Sequence, residues 1–268
     1  MLAGACGFQA VPSGGVATEV DGGPGSQESI GDDVVHVGPA DEYTGTADLT
    51  IDQPITIDTG AMTFGMALPA GATFAAATQD GGGPELAVLH VRGLAVHANV
   101  RAFGARPLVV LADSFELTRM IDVSAHDQVG GPGAQSAPIS GGGQVLIGGA
   151  PGEPPIATVL CDVAPPGGGG GALELYARTR ISISGIIDAG GGMPGATSCT
   201  GIVIAPSPFG SGGTIVLQAP VVENSGRLTA NDGRAAAGAP GGGGQILMLY
   251  KTKIAAGVTS PVAHTQQY

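Results

Sequence analysis

The sequence predicts an all-β chain: a parallel β-helix, or β-solenoid, with glycine-rich loops and a flexible N-terminal tail. Three observations predict it. One formula recurs, a glycine run followed by a strand-like stretch and more glycine: GGGGGALELYARTRISISGIIDAGGG (167–192), GGTIVLQAPVVENSGRLTANDG (212–233) and GGGGQILMLYKTKIAAG (241–257). Such an echo marks stacked units, none of which buries its apolar face alone. Apolar residues also alternate. Leu173, Leu175, Ile215, Leu217, Leu247 and Leu249 are expected to point inward and stack in columns, with strands about 4.8 Å apart. Finally, the 49 Gly and 20 Pro lie mostly between the aliphatic runs. That fraction alone suggests disorder, but a mean hydropathy of +0.29 argues for a folded scaffold.

Residues 1–40 are acidic, rich in Gly, Ser and Pro, and without periodicity, so they read as a flexible tail. Their start, MLAGACGFQA, resembles the end of a bacterial lipoprotein signal in which Cys6 becomes the acylated residue. It departs from that pattern in lacking a basic and an apolar region before it, and in the position of Leu2. The solenoid is expected over 41–257. Within it, LTIDQPITIDTG and MTFGMALPAGATFAAAT form the first coils or a cap over the open end. Leu86–Gly104 and Leu108–Asp127 are two glycine-poor coils. Residues 128–170 are one coil with long insertions, and 172–257 hold the three clearest coils. Gly185 and Gly226 sit at matching bends. Residues 258–268 read as a polar tail.

From TIDQPITIDTG through LPAGATF, PELAVLHVRGLAV and ARPLVVLADSFELTRMIDVSA to the two long glycine-flanked units, the chain resembles a family of uncharacterised, glycine-rich exported proteins of gliding soil bacteria. The resemblance covers roughly residues 45–255. It implies export and a right-handed parallel β-helix, and it carries no activity to transfer.

Composition narrows the partners. A net charge of −12 disfavours nucleic acid and anionic membranes. No apolar run is long enough for a transmembrane helix. Cys161 and Cys199 flank one repeat; a disulfide between them is expected if the protein is exported, two free thiols being the alternative.

Two constellations stand out. Aligning LELYARTRI with LMLYKTKI puts Arg178 and Arg180 in line with Lys251 and Lys253, a basic strip for an acidic glycan or sulfate; the alternative is ordinary outward charge. Asp122 and Asp188 align near Asn231 and Asp232, where stacked carboxylates need spacing, a cation or Ca²⁺. Solvated turn aspartates are the alternative. No other cofactor is expected. The histidines lack zinc spacing, and the glycine runs are not followed by the helix a nucleotide loop requires.

The leading functional expectation is a non-enzymatic exported protein at the cell surface: a spacer, adhesin or matrix component that meets a surface glycan or another matrix protein. Its rivals are a polysaccharide lyase or glycoside hydrolase using paired carboxylates, and a subunit that associates end to end.

Overall fold

A computed structural model describes residues 36–37, 45–79, 83–135, 146–152, 165–195, 209–233, 243–255 and 257–267. Among them every regular element is a strand, so the chain is all-β, with long parallel sheets.

The strands fall into levels, because each short strand bonds to its equivalent one pass earlier. The first level holds β1 (Leu49–Ile51) and β2 (Ile55–Asp58). A two-residue strand β3 (Thr63–Phe64) then turns back antiparallel on β2, and β4 (Thr73–Ala77) lies antiparallel to the strand that follows it. The next level is β5 (Leu86–His90), β6 (Gly93–Val96) and β7 (Val100–Phe103). Above it come β8 (Leu108–Leu117) with β9 (Met120–Asp122), then β10 (Ala172–Ile183) with β11 (Ile186–Asp188). Two further levels are β12 (Thr214–Gln218), β13 (Val221–Asn224) and β14 (Arg227–Thr229), then β15 (Gln245–Tyr250), β16 (Thr252–Ala255) and β17 (Val258–Ser260). The last strand, β18 (His264–Gln267), pairs with β15.

At every level the chain leaves an 11-stranded sheet, enters a 7-stranded one and returns. Apart from β4 against β5, pairing between levels is parallel, as in β8–β10–β12–β15 and β9–β11–β14–β17. The bend between the sheets recurs at Gly185 and Gly226. A side chain on Gly185 would collide with the Arg119 carbonyl oxygen, and one on Gly226 with that of Gly185. These same carbonyls accept from the amides of Ile186 (2.7 Å) and Arg227 (2.9 Å), so the level spacing itself excludes a Cβ there.

The core lies between the sheets. Leu173, Leu175, Ile215 and Leu217 are fully buried in it, as expected. The last level differs by one residue. Ile215 pairs with Ile246 and Leu217 with Met248, so Ile246 and Met248 continue the inner columns, while Leu247 and Leu249 face outward and are half-buried. Alternation failed here because ILMLY is apolar at every position. The large sheet is covered on its outer side too: Val88, Val109, Leu111 and Val216 form a second cluster with Val37 and Leu146. A strand buried on both faces reads as a continuous apolar run, which hides its phase.

Two boundaries also move. Residues 258–267 form strands rather than a tail, β18 being polar because all four of its side chains are exposed. His36 and Val37, placed by sequence in the flexible tail, are buried against the outer sheet face.

Beside the stack lies a second packing system made of glycine backbone. Gly167–Gly171 belong to no strand and are buried. Gly168 donates to Asp127 O (2.8 Å) and accepts from Gly192 N (2.7 Å). Gly169 accepts from Gly131 N, and Gly170 accepts from Gly149 N while donating to Ser211 O. A sheet strand has two neighbours; this segment bonds to more, which is open only to a chain without side chains. A Cβ on Gly170 would overlap the Ala189 carbonyl oxygen, and one on Gly213 that of Gly171.

Candidate functional surface

The two arginines of the expected basic strip sit at an irregularity in β10. The register against β8 slips between Ala177 and Arg180, so Arg178 and Thr179 share a place opposite Asp113. Arg178 Nε lies 2.9 Å from Asp113 Oδ1, and the Thr179 hydroxyl donates to the Asp113 carbonyl at 2.5 Å. Arg180 pairs with Glu223 on the next level.

The lysines fall elsewhere than the alignment put them. Arg180 shares its column with Val221 and Thr252, and Lys253 continues the inward column of Ile181 and Val222. Lys253 Nζ stands 5.8 Å from the Tyr250 ring centroid, and Lys251 is exposed at the bend before β16. The gapped alignment placed the pairs by residue type, whereas hydrogen-bond register follows strand phase.

Asp122 and Asp188 are direct neighbours in the 7-stranded sheet. Each closes a turn: Asp122 Oδ1 accepts from the amide (2.9 Å) and hydroxyl (2.6 Å) of Ser124, and Asp188 Oδ1 accepts from Gly190 N (2.9 Å). Burial pushes the Asp188 carboxyl above its ordinary value, and the Asp122 charge beside it adds to this; the Gly190 bond and Arg227 act the other way. Asp232 does not continue this column. The position above Asp188 is Thr229, then Ser260, while Asp232 is buried at the edge of the glycine segments. Asn231 exchanges side-chain hydrogen bonds with Ser260. Among the described residues no group of three or more His, Cys, Asp or Glu is gathered to hold a metal.

Other outward charges are also paired between levels. Arg92 bonds Asp48, holding that carboxyl below its usual range, with the hydrogen bond the largest cause. Arg106 pairs with Glu85 at 2.8 Å, and His97 Nδ1 with Asp52 at 3.0 Å.

One groove of about 500 Å³ crosses the outer face of the large sheet. Thr50, Gly93, Ala95, Ser114 and Ser182 floor it, the small residues leaving the depression. Glu116 stands exposed within it, between Ala95 and Ser182 in register.

Sequence reasoning missed Glu174. It occupies an outward position of β10, which alternation assigns to solvent. Here that face is covered, and Glu174 is fully buried with one carboxylate oxygen 2.8 Å from His36 Nδ1. Its other oxygen has no hydrogen-bond partner among the described residues. A lone Glu in LELYAR carries no sign of this, because the cover comes from residue 36, far along the chain. Cys6, Cys161 and Cys199 lie outside the described residues. Among the described residues no helix is long and apolar enough to cross a membrane.

The chain matches no protein-family model, no curated protein and no solved structure.

Proposed function

We propose that the chain is a β-solenoid exported to the cell surface or extracellular matrix, where it works without catalysis as a spacer or adhesive module. The resemblance to glycine-rich exported proteins of gliding bacteria supports export. One observation carries the non-catalytic reading: many of the charged groups are used in building the stack. Arg178–Asp113, Arg180–Glu223, Arg92–Asp48 and Arg106–Glu85 each tie one level to another, and Asp122 and Asp188 close turns. An acid–base pair for glycan cleavage needs carboxylates aimed at a substrate with their proton affinities pushed apart. Ca²⁺ at the Asp122–Asp188 edge is the cofactor alternative, and both aspartates would supply oxygen ligands. A surface glycan or another matrix protein is the proposed partner.

The rival enzyme reading draws on the groove around Glu116, whose hydroxyl-bearing floor suits a sugar chain. Incubation with a panel of acidic and neutral polysaccharides separates the two. The scaffold reading expects binding without product. Product release that disappears in Glu116→Gln would overturn it in favour of the enzyme.

With export we also propose a disulfide between Cys161 and Cys199. Thiol counting on unreduced protein should then find at most one free thiol, that of Cys6. Three free thiols under oxidising conditions would remove the bridge.

A further inference from the structure

We propose that the molecule binds a second copy of itself head to tail, the β16–β18 end of one copy seating on the β1–β4 end of the next. This rests on the coiled course proposed above.

The two ends are staggered in a complementary way. At one end the last full level is β15–β16–β17, and β18 adds one more strand on the large sheet only. At the other end the full level is β4–β1–β2, and β3 adds one more strand on the small sheet only. Superimposing the columns puts β18 and the next copy's β3 on the same level, on opposite sheets. β18 then meets β4 of the next copy, and β17 meets its β3. Both β4 and β3 run antiparallel to their own neighbours, so both new pairings are antiparallel. Among the described residues β4, β3, β17 and β18 each pair with a single strand, so each has an edge to offer. These edges lack the usual obstacles: TFAAA, TF, VTS and HTQQ contain no proline, Lys, Arg, Asp or Glu.

Charge sets the polarity. The chain has no Lys or Arg before Arg92 and no Asp or Glu after Asp232. Asp48, Asp52 and Asp58 therefore mark the first level, and Lys251, Lys253 and His264 the last. Tracing the registers from β1 to β16 puts Asp48 in the column of Thr252, next to Lys251. In the stack β16 and the next copy's β1 are separated by one empty strand position, about 10 Å between strands. Across that space Lys251 stands one residue from the Asp48 column, and Asp48 also carries Arg92 of its own copy as a partner. Joining two last levels instead would set lysines against lysines. Apolar exposure agrees: Ile254, Val258 and Val262, 56%, 62% and 82% exposed, all lie at the β16–β18 end. The opposite end is plugged by Phe64, Met66, Leu68 and Phe74, yet among the described residues no strand pairs with the outer edges of β3 and β4. A heterologous contact of this kind does not close, so it builds a linear array.

Sedimentation velocity on the full chain tests this. At low salt the mass should rise with concentration through successive oligomers. At about 1 M salt, where the Debye length is about 3 Å, association should weaken at least tenfold. Lys251→Glu/Lys253→Glu should abolish assembly, and so should Asp48→Lys/Asp52→Lys. Mixing the two variants should restore it, because each end then meets its opposite charge. Circular dichroism of each variant checks that the strands persist. A β-rich monomer at all concentrations, a single closed dimer, or oligomers indifferent to both reversals would overturn the interface while leaving the solenoid standing. Loss of strand signal in the unmodified chain would instead sink the solenoid reading itself.

Discussion

The aliphatic stack and the glycine segments hold the same molecule together by opposite means. In the stack, backbone spacing is set by hydrogen bonds and stability comes from filling the space between sheets with Leu, Ile and Val. In the glycine region there are no side chains to fill space. Segments such as Gly167–Gly171 close the gap by bringing backbones into contact, and their amides and carbonyls find partners in several directions. The stack is sensitive to removing atoms, and the glycine region to adding them.

The largest effect should come from adding a methyl group to the glycine region. Gly170→Ala places Cβ on the Ala189 carbonyl oxygen and the Gly213 nitrogen, and backbone has no rotamer by which to yield. We expect a loss above about 4 kcal/mol, or failure to fold. A denaturant titration showing less than about 1 kcal/mol would mean that these segments are loosely packed.

Next in size is removal of atoms from the stack. Leu217→Ala and Met248→Ala should each cost about 2–5 kcal/mol, whereas Leu249→Ala, half-buried on the outer face, should cost at most about half as much. Equal losses at positions 248 and 249, or a reversed order, would shift the register of β15 by one residue.

Asp188→Asn should act more weakly and in the stabilising direction. The native carboxyl holds its proton more tightly than the unfolded chain does. That contribution is therefore complete below the ordinary value of 3.8 and is lost as pH rises through the raised native value. The amide keeps an acceptor for Gly190 N without the buried charge. The variant's advantage should open as pH climbs above 3.8 and vanish below it; thermal melts across that range would show a constant offset if burial were not the cause.

The smallest effect belongs to the paired surface. Arg180→Ala removes a half-exposed ion pair with Glu223 and should change stability by about 0.5 kcal/mol or less, vanishing at high salt. A larger, salt-resistant loss would show that Arg180 packs as well as pairs.

The sequence by itself determined the all-β class, the positions of most strands and the inner columns through Leu173, Leu175, Ile215 and Leu217. Repeating glycine-bounded runs encode these locally. It also placed Asp122 beside Asp188, because IDV and IDA are the same turn in two repeats. Only the tertiary structure decided three other things. The phase of ILMLY depends on whether the outer face is covered, and a run apolar at every position does not record that. The burial of Glu174 depends on His36 and Val37 arriving from far upstream. The fate of the basic residues depends on a register slip at Arg178 and on acids from other levels, Asp113 and Glu223. Period and residue type are properties of a segment; coverage, register and charge partners are properties of the segments beside it.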